Sequence, residues 1–225
     1  KRIFGIKYGY EGLIPSYGHK LVPLHPEEID DLHEKGGTWL ASSRGMQSVP
    51  AMVDTLVDKK IDILFAIGGD GTLAGANAIY EEVAKRGLKI AVVGIPKTID
   101  NDIMFVDRTF GFNTAVAHAT TAIKAAHAEA KGARNGIGLV KVMGRDSGFI
   151  AAYTALASND VNYVFIPEVK YALEGDKGFL PHLHKRLLER KHAVVLVAEG
   201  AGQEHFAGET QRDASGNVKY GDIGV

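Results

Sequence analysis

Five short apolar runs, each ending in a polar motif and most followed by a segment of helical period, constrain this fold more than anything else in the sequence. Ile63–Ile67 runs into Gly68, Ile90–Val93 leads to Pro96, Ile137–Val142 to Met143, Tyr163–Ile166 to Pro167 and Val194–Ala198 to Glu199. Between and beside them, apolar residues recur at helical spacing over Pro50–Lys59, Leu73–Arg86 (stopped by Gly87), Phe112–Ala130, Ser147–Ser158 and Leu180–Arg190. Strands that alternate with helices have to run parallel, because each crossover helix returns the chain to the same edge. The pattern therefore predicts an α/β fold, Rossmann-like and three-layered, with an open, mostly parallel sheet and helices on both faces. Ile63–Ile67 is almost wholly apolar and is expected to be buried on both faces. Outside the alternation, Ile3–Ile6 reads as a strand, Lys7–His19 as a loop and Pro26–Asp31 as a helix start. Gln203–Gly221 reads as an irregular or hairpin excursion around the turn Asp213–Asn217.

Composition narrows the function classes. The 225 residues are 45% hydrophobic, enough for one substantial core or for one domain and part of another. With 26 basic and 27 acidic residues and no long single-sign run, neither nucleic acid nor a membrane surface is an expected partner. Cysteine is absent, which excludes disulfides and thiolate metal sites and suits a cytoplasmic protein. No apolar run is long enough to span a bilayer, and no secretory signal pattern is present. The nine histidines show no metal-ligand spacing: His182 and His184 are two apart, and His118 and His127 decorate one helix. Met46, Met52 and Met104 read as packing residues. The chain opens on Lys1-Arg-Ile-Phe-Gly-Ile6 inside an expected strand and closes on Asp222-Ile-Gly-Val225 where another element is expected, so it reads as a segment of a longer protein.

The chemistry sits where the strands end. Gly68, Gly69 and Gly71 let the backbone approach a ligand closely, and a helix starting near Thr72 turns its free N–H groups toward an anion. Gly75, one turn on, leaves room for a nucleotide or phosphate. The loop is neither Gly-x-Gly-x-x-Gly nor a Walker loop, and Asp70 in it would repel phosphate unless a cation intervenes, which points to Mg²⁺. In Pro96-Lys-Thr-Ile-Asp-Asn-Asp102, one of Asp100 and Asp102 can accept a hydroxyl proton while the other orients Mg²⁺ or its waters. Lys97 and Thr98 suit a phosphoryl group in transfer. Arg145, in Met143-Gly-Arg-Asp-Ser-Gly148, offers a planar fork for phosphate. Asp146 and Ser147 read as helix caps, and Glu199 as a ligand for sugar hydroxyls. Tyr10 and Arg44 stand in glycine-bearing loops as weaker candidates, and Asp107–Arg108 as a surface or interface pair.

Taken together, Gly68-Gly-Asp-Gly-Thr72, Pro96–Asp102, Phe110-Gly-Phe112, Met143-Gly-Arg145 and Pro167-Glu168 resemble the 6-phosphofructokinase family over essentially the whole chain. The resemblance implies a glycolytic, allosteric kinase that moves a phosphoryl group from Mg²⁺-bound ATP to O1 of fructose 6-phosphate. It makes Asp100 similar to the base at the 1-hydroxyl, and Asp70 and Asp102 to the carboxylates at the magnesium. Thr98 and Arg145 would touch the transferring group, and Met143, Gly144 and Glu199 the sugar. Tyr10, Arg44, Gly71, Thr72 and Gly75 match nucleotide- and phosphate-side positions. Parts of two domains are implied: residues 1–130 bind the nucleotide or phosphate donor but lack the family's first strand, and residues 131–225 form part of the sugar-phosphate domain, truncated at its end. The family's opening Gly-Gly-Asp-x-Pro-Gly-x-Asn loop is missing, as is the later segment with the histidine and arginines for the sugar 6-phosphate, so the segment alone is expected to be inactive. Bacterial relatives carry an arginine for a neighbouring subunit's sugar phosphate at a position occupied here by Gly136, with Arg134 nearby.

Gly71 resembles the ATP-using form, whereas Lys97 resembles the pyrophosphate-using form. The pair together is similar to plant and trypanosomatid ATP-dependent enzymes, as is Ser147-Gly-Phe-Ile-Ala151. ATP is the expected donor and pyrophosphate the alternative. A homo-oligomer, dimer or tetramer, is implied by the same resemblance. NAD and lipid kinases share the Gly-Gly-Asp-Gly-Thr loop but not the later motifs. A non-catalytic, sugar-phosphate-binding regulatory subunit would be expected to have lost its acids, and here Asp70, Asp100 and Asp102 are all present.

Overall fold

The structure, a computed structural model, describes residues 2–205 together with the backbone of 211–212 and 218–219. It is an α/β fold whose chain divides into two compact units, one built on Lys1–Pro96 and the other on Lys97–Thr210. Residue 130, expected to mark the domain boundary, lies in a long helix of the second unit.

In the first unit, β1 (Phe4–Gly5) pairs antiparallel with β2 (Val22–Pro23), and the intervening loop holds two 3₁₀ turns, Gly9–Leu13 and Pro15–Tyr17. The short helix α1 (Pro26–Ile29) starts on its proline and runs into a 3₁₀ turn. Then follow α2 (Val49–Asp58), β3 (Ile63–Gly68), α3 (Asp70–Lys85) and β4 (Ala91–Pro96), with β3 and β4 parallel. Met52, Val53 and Leu56 of α2 pack with Ile79 and Val83 of α3, Leu64 of β3 and Leu13 to form the core. Arg86 fastens the two helices at the surface, its Nη1 reaching Asp54 Oδ1 at 2.5 Å and its Nε reaching Glu82 Oε1 at 2.6 Å.

Strand β3 departs from expectation. Its burial alternates: Leu64, Ala66 and Gly68 face the helices, while Ile63, Phe65 and Ile67 are 51%, 58% and 62% exposed. Helices α2 and α3 cover one face only, so an apolar composition suited to burial on both sides is half used among the described residues.

The second unit comprises α4 (Phe112–Gly132), β5 (Gly136–Val142), α5 (Phe149–Ala157), β6 (Tyr163–Phe165), α6 (Phe179–Arg190) and β7 (His192–Ala198). All three strands are parallel in the order β5-β7-β6. The expected parallel sheet is thus two sheets, one in each unit. Central strand β7 is buried on both faces, as its run of Ala, Val and Leu requires. Val194, Leu196 and Ala198 pack with Ile123 of α4 and Ala151 of α5. The register sets Val195 beside Tyr163 on the opposite face, and the Tyr163 and Phe165 rings meet Phe179 of α6 edge-on at 5.2 and 4.7 Å. That is a three-layer arrangement. Gly136, the position expected to carry an arginine in bacterial relatives, sits where any Cβ would run into the Ala130 carbonyl of α4. Its glycine is explained by close helix–strand approach.

Strands β8 (Gln211–Arg212) and β9 (Val218–Lys219) pair antiparallel, in keeping with the expected hairpin; Asp213–Asn217 and Asp222–Val225 lie outside the described residues. Among the described residues no helix is long and apolar enough to cross a membrane.

Leu196 has no exposed surface and sits in the central strand. Leu196→Ala is expected to lower stability by about 2–5 kcal/mol, read as a shift of the urea midpoint with an unchanged m-value.

Candidate active site

In the first unit the glycine motif closes β3 and opens α3. Gly68 is the last strand residue, Gly69 is the extended N-cap, and the helix begins at Asp70, two residues earlier than Thr72. The first main-chain helical bond recorded there runs from the Leu73 amide to the Gly69 carbonyl at 3.0 Å. The amides of Asp70, Gly71 and Thr72 therefore precede the helical ladder and remain donors for an anion, as helix geometry requires. No side chain caps this end. Around Gly71 there is open space on the side where a Cβ would stand, and Asp70 is exposed.

Gly75 behaves differently from its expected role. A Cβ there would strike the Tyr10 ring, so the groove over Gly75 already holds Tyr10. The Tyr10 hydroxyl donates to the Thr72 carbonyl at 2.5 Å. Burial pushes the phenol up to about 12. Tyr10 thus acts on this unit by bracing the first turn of α3. Arg44 is exposed in the loop after Ala41, where Ser43 Oγ donates to the Tyr8 carbonyl at 2.6 Å.

In the second unit the residues gather at the carboxyl ends of β5 and β7. Beyond the strands proper, the Glu199 amide donates to the Val142 carbonyl at 2.9 Å and the Gly200 amide to the Gly144 carbonyl at 3.0 Å. These two bonds place Met143, Gly144 and Glu199 side by side. Gly144 has φ 132°, and its Cβ would meet the Ser147 carbonyl, so glycine is required for the chain to turn from strand to Arg145. Met143 is 53% exposed and available to a ligand.

Asp100 is the electrostatic centre of this cluster. Its carboxyl is held above the ordinary aspartate value, first by burial, then by the nearby negative charges of Asp102 and Glu199, with Arg145 opposing and Asp146 adding to the rise. Oδ1 of Asp100 is buried and has no hydrogen-bond partner among the described residues. Its backbone is fixed from both sides: the amide donates to Thr98 Oγ1 at 3.1 Å, and the carbonyl accepts from Ser147 Oγ at 3.4 Å. Asn101, in the left-handed region at φ 58°, accepts from the Thr109 amide at 2.8 Å and donates to the Asp107 carbonyl at 3.4 Å. It closes the loop that carries exposed Asp102. Lys97 is exposed, and Arg108 Nη1 bonds Asn113 Oδ1 at 2.6 Å, a contact internal to this unit.

The expected caps are reassigned. Ser147 is turned to Asp100, Asp146 is one of the charges acting on it, and neither bonds the start of α5. Glu168, delivered by the end of β6, accepts from the Gly148 amide at 2.8 Å instead. A carboxylate at a helix N-terminus satisfies both the free donor and the dipole. The sequence signal for it was the Pro-Glu pair directly after a strand.

Tyr10→Phe removes a group whose phenol ionises more readily unfolded than folded. Wild-type stability contributed by neutral Tyr10 is full below pH 10 and is lost as pH rises through about 12. Urea midpoints over that interval are therefore expected to fall more steeply for wild type than for Tyr10→Phe. For Asp100 the folded value is also raised, so its ionised form costs stability that is absent below the ordinary aspartate range. Asp100→Asn is expected to be more stable than wild type at neutral pH, an advantage that shrinks as pH falls through the carboxylate range.

The model of the phosphofructokinase family matches residues 1–222. An ATP-dependent 6-phosphofructokinase from Borreliella burgdorferi is 55% identical over 100% of this chain and 52% of its own length. ATP-dependent 6-phosphofructokinase 1 of Arabidopsis thaliana is 50% identical over 100% of this chain and 48% of its own. The chain spans about half the length of these relatives. Among solved structures, a phosphofructokinase from Saccharomyces cerevisiae superimposes with TM-score 0.73 at 27% identity, covering 89% of this chain and 29% of that one. A pyrophosphate-dependent phosphofructokinase from Marinobacter aquaeolei gives TM-score 0.74 at 24% identity over 89% of this chain and 52% of that one, a likeness of fold alone. With the family model matching residues 1–222 and relatives about half identical over the whole chain, this protein belongs to the phosphofructokinase family.

Proposed function

We propose that this chain carries the core of an ATP-dependent 6-phosphofructokinase, transferring the γ-phosphoryl group to the 1-hydroxyl of fructose 6-phosphate. The observation that carries this reading is the buried, unpartnered Oδ1 of Asp100 beside Arg145 and Glu199. An orphaned carboxylate oxygen is costly, and a substrate hydroxyl is the donor that would satisfy it. That same hydrogen bond places a general base on the proton to be removed. A carboxyl raised above the ordinary range by burial and like charge is a stronger base than an exposed aspartate.

The remaining roles follow from residue chemistry. Arg145 spreads positive charge over the phosphoryl oxygens, with Lys97 and Thr98 donating to the same group. Met143, Gly144 and Glu199 hold the sugar. In the first unit the amides at the start of α3, with Gly68, Gly69, Gly71 and Thr72, receive the donor's phosphates, and Tyr10 braces them, with Gly75 giving it room. Arg44 contributes charge on the nucleotide side. The division is then a donor unit ending at Pro96 and an acceptor unit beginning at Lys97.

The donor set suits magnesium. Asp70 in the first unit and Asp102 in the second are exposed carboxylates. An ion that keeps several waters and takes one or two carboxylates plus phosphate oxygens fits such a set. Bound there, Mg²⁺ would neutralise charge on the transferring phosphates.

ATP is favoured as donor because the space beside Gly71 is open, and because relatives about half identical carry ATP-dependent names. The Arabidopsis proteins among them support a plant-like subgroup. Lys97 keeps pyrophosphate as the second reading. Cytoplasmic location and a homo-oligomer, dimer or tetramer, belong to the same proposal.

The test is turnover of fructose 6-phosphate by the whole protein with Mg²⁺ and either ATP or pyrophosphate. Turnover with ATP alone is expected. Asp100→Asn is expected to lower kcat by about 10²–10⁴-fold while calorimetry still detects fructose 6-phosphate binding. An unchanged kcat in that variant would remove Asp100 from the chemistry, and turnover with pyrophosphate alone would overturn the donor assignment.

A further inference from the structure

At the far end of the second sheet, two histidines 65 residues apart in sequence meet ring to ring. His127 on α4 and His192 at the start of β7 bring their Nε2 atoms to 3.3 Å, with ring centres 5.2 Å apart. Each ring is held through its other nitrogen. His127 Nδ1 lies 2.8 Å from Asp160 Oδ1, and His192 Nδ1 lies 3.1 Å from the Arg190 carbonyl. Both of those partners are acceptors, so each Nδ1 carries the hydrogen. With both rings neutral, both Nε2 atoms present lone pairs across the 3.3 Å contact. Such a contact needs an electrophile between them.

We propose that His127 and His192 are ligands of a zinc-type divalent cation, with water completing its coordination. The geometry fits such an ion, and the titration below separates it from a proton shared between the rings. A tetrahedral ion about 2.05 Å from each nitrogen sets the nitrogens about 3.3 Å apart and, with ring centres about 1.15 Å further out, those centres about 5.2 Å apart. Both spacings match those observed. The outer partners are those that metal-bound imidazoles use: a carboxylate and a backbone carbonyl on the distal nitrogens, which fix the tautomer and raise ligand basicity. Imidazole donors select zinc-like ions over Mg²⁺, whose preference is for oxygen. Both histidines are partly exposed, so an ion and its waters can enter. Because His192 and Ala198 are the two ends of β7, this site lies about 20 Å from the Glu199 end. Zinc there joins α4 to β7 and acts on the stability of the fold.

The experiment is a zinc titration of the whole protein, stripped with chelator and held in excess Mg²⁺ so that the carboxylate sites are occupied. One zinc per chain is expected, with a rise in Tm on binding. Both are expected to be lost in His127→Gln and in His192→Gln. Asp160→Asn keeps both ligands and is expected to bind about 10–100-fold more weakly. Tm values measured in chelator serve as the folding control for each variant. Cobalt in place of zinc should give the intense visible bands of a tetrahedral site in wild type only. If wild type binds no stoichiometric zinc, or if the histidine variants bind it as well as wild type does, the proposal is wrong and the two rings share a proton instead.

Discussion

The register of β7 between β5 and β6 is the constraint on which the second unit depends. Parallel pairing over Gly136–Val142 and His192–Ala198 makes the two strands end together. The main-chain bonds that continue past those ends then align Gly144 with Gly200. A slip of one residue would turn Val194, Leu196 and Ala198 away from α4 and α5 and set the residues of the other face of β7 against those helices. The same slip would separate Met143 and Gly144 from Glu199. Core burial and site geometry are therefore fixed by one set of hydrogen bonds, and the hydrophobic term that holds the register also holds the polar constellation.

Against that stable frame, Asp100 is a deliberate cost. Its neighbours are three carboxylates and one guanidinium, and its Oδ1 has no partner among the described residues. Folding alone would be better served by an amide or a hydroxyl there. The backbone bonds from Thr98 and Ser147 hold the residue in place despite the charge it carries. In the proposed role of Asp100 as base, strain of this electrostatic kind is an advantage, since a carboxylate satisfied in the free protein has less to gain from a substrate proton.

The alternation of apolar runs and helical segments was enough to read the element order and the parallel strands, because both follow from local period. The polar motifs at strand ends were legible for the same reason: a parallel sheet collects them at one edge. What escaped was whatever depends on partners distant in sequence. Ile63–Ile67 carries the composition of a doubly buried strand, yet the number of covering layers is decided by α2 and α3, not by the strand itself. Gly75 looked like room for a ligand, and only the fold shows Tyr10 in that room. Asp146 and Ser147 had the residue types of caps, but Glu168, twenty positions from Gly148, reached the helix end first. His127 and His192 had no spacing that a ligand pattern could register, since their meeting depends on α4 crossing the start of β7.

The two ends of β7 thus carry opposite donor chemistries, carboxylates at one and imidazoles at the other. Their separation keeps them independent. Two unit charges about 20 Å apart interact by only about 0.2 kcal/mol in water, and salt screens that further. A cation between the histidines would leave the Asp100 carboxyl where its own neighbours put it. On the two proposals, a hard, oxygen-seeking ion at the carboxylates and a softer, nitrogen-seeking one at the histidines would not compete. The first would sit where groups exchange with substrate, and the second where α4 and β7 only need to stay together.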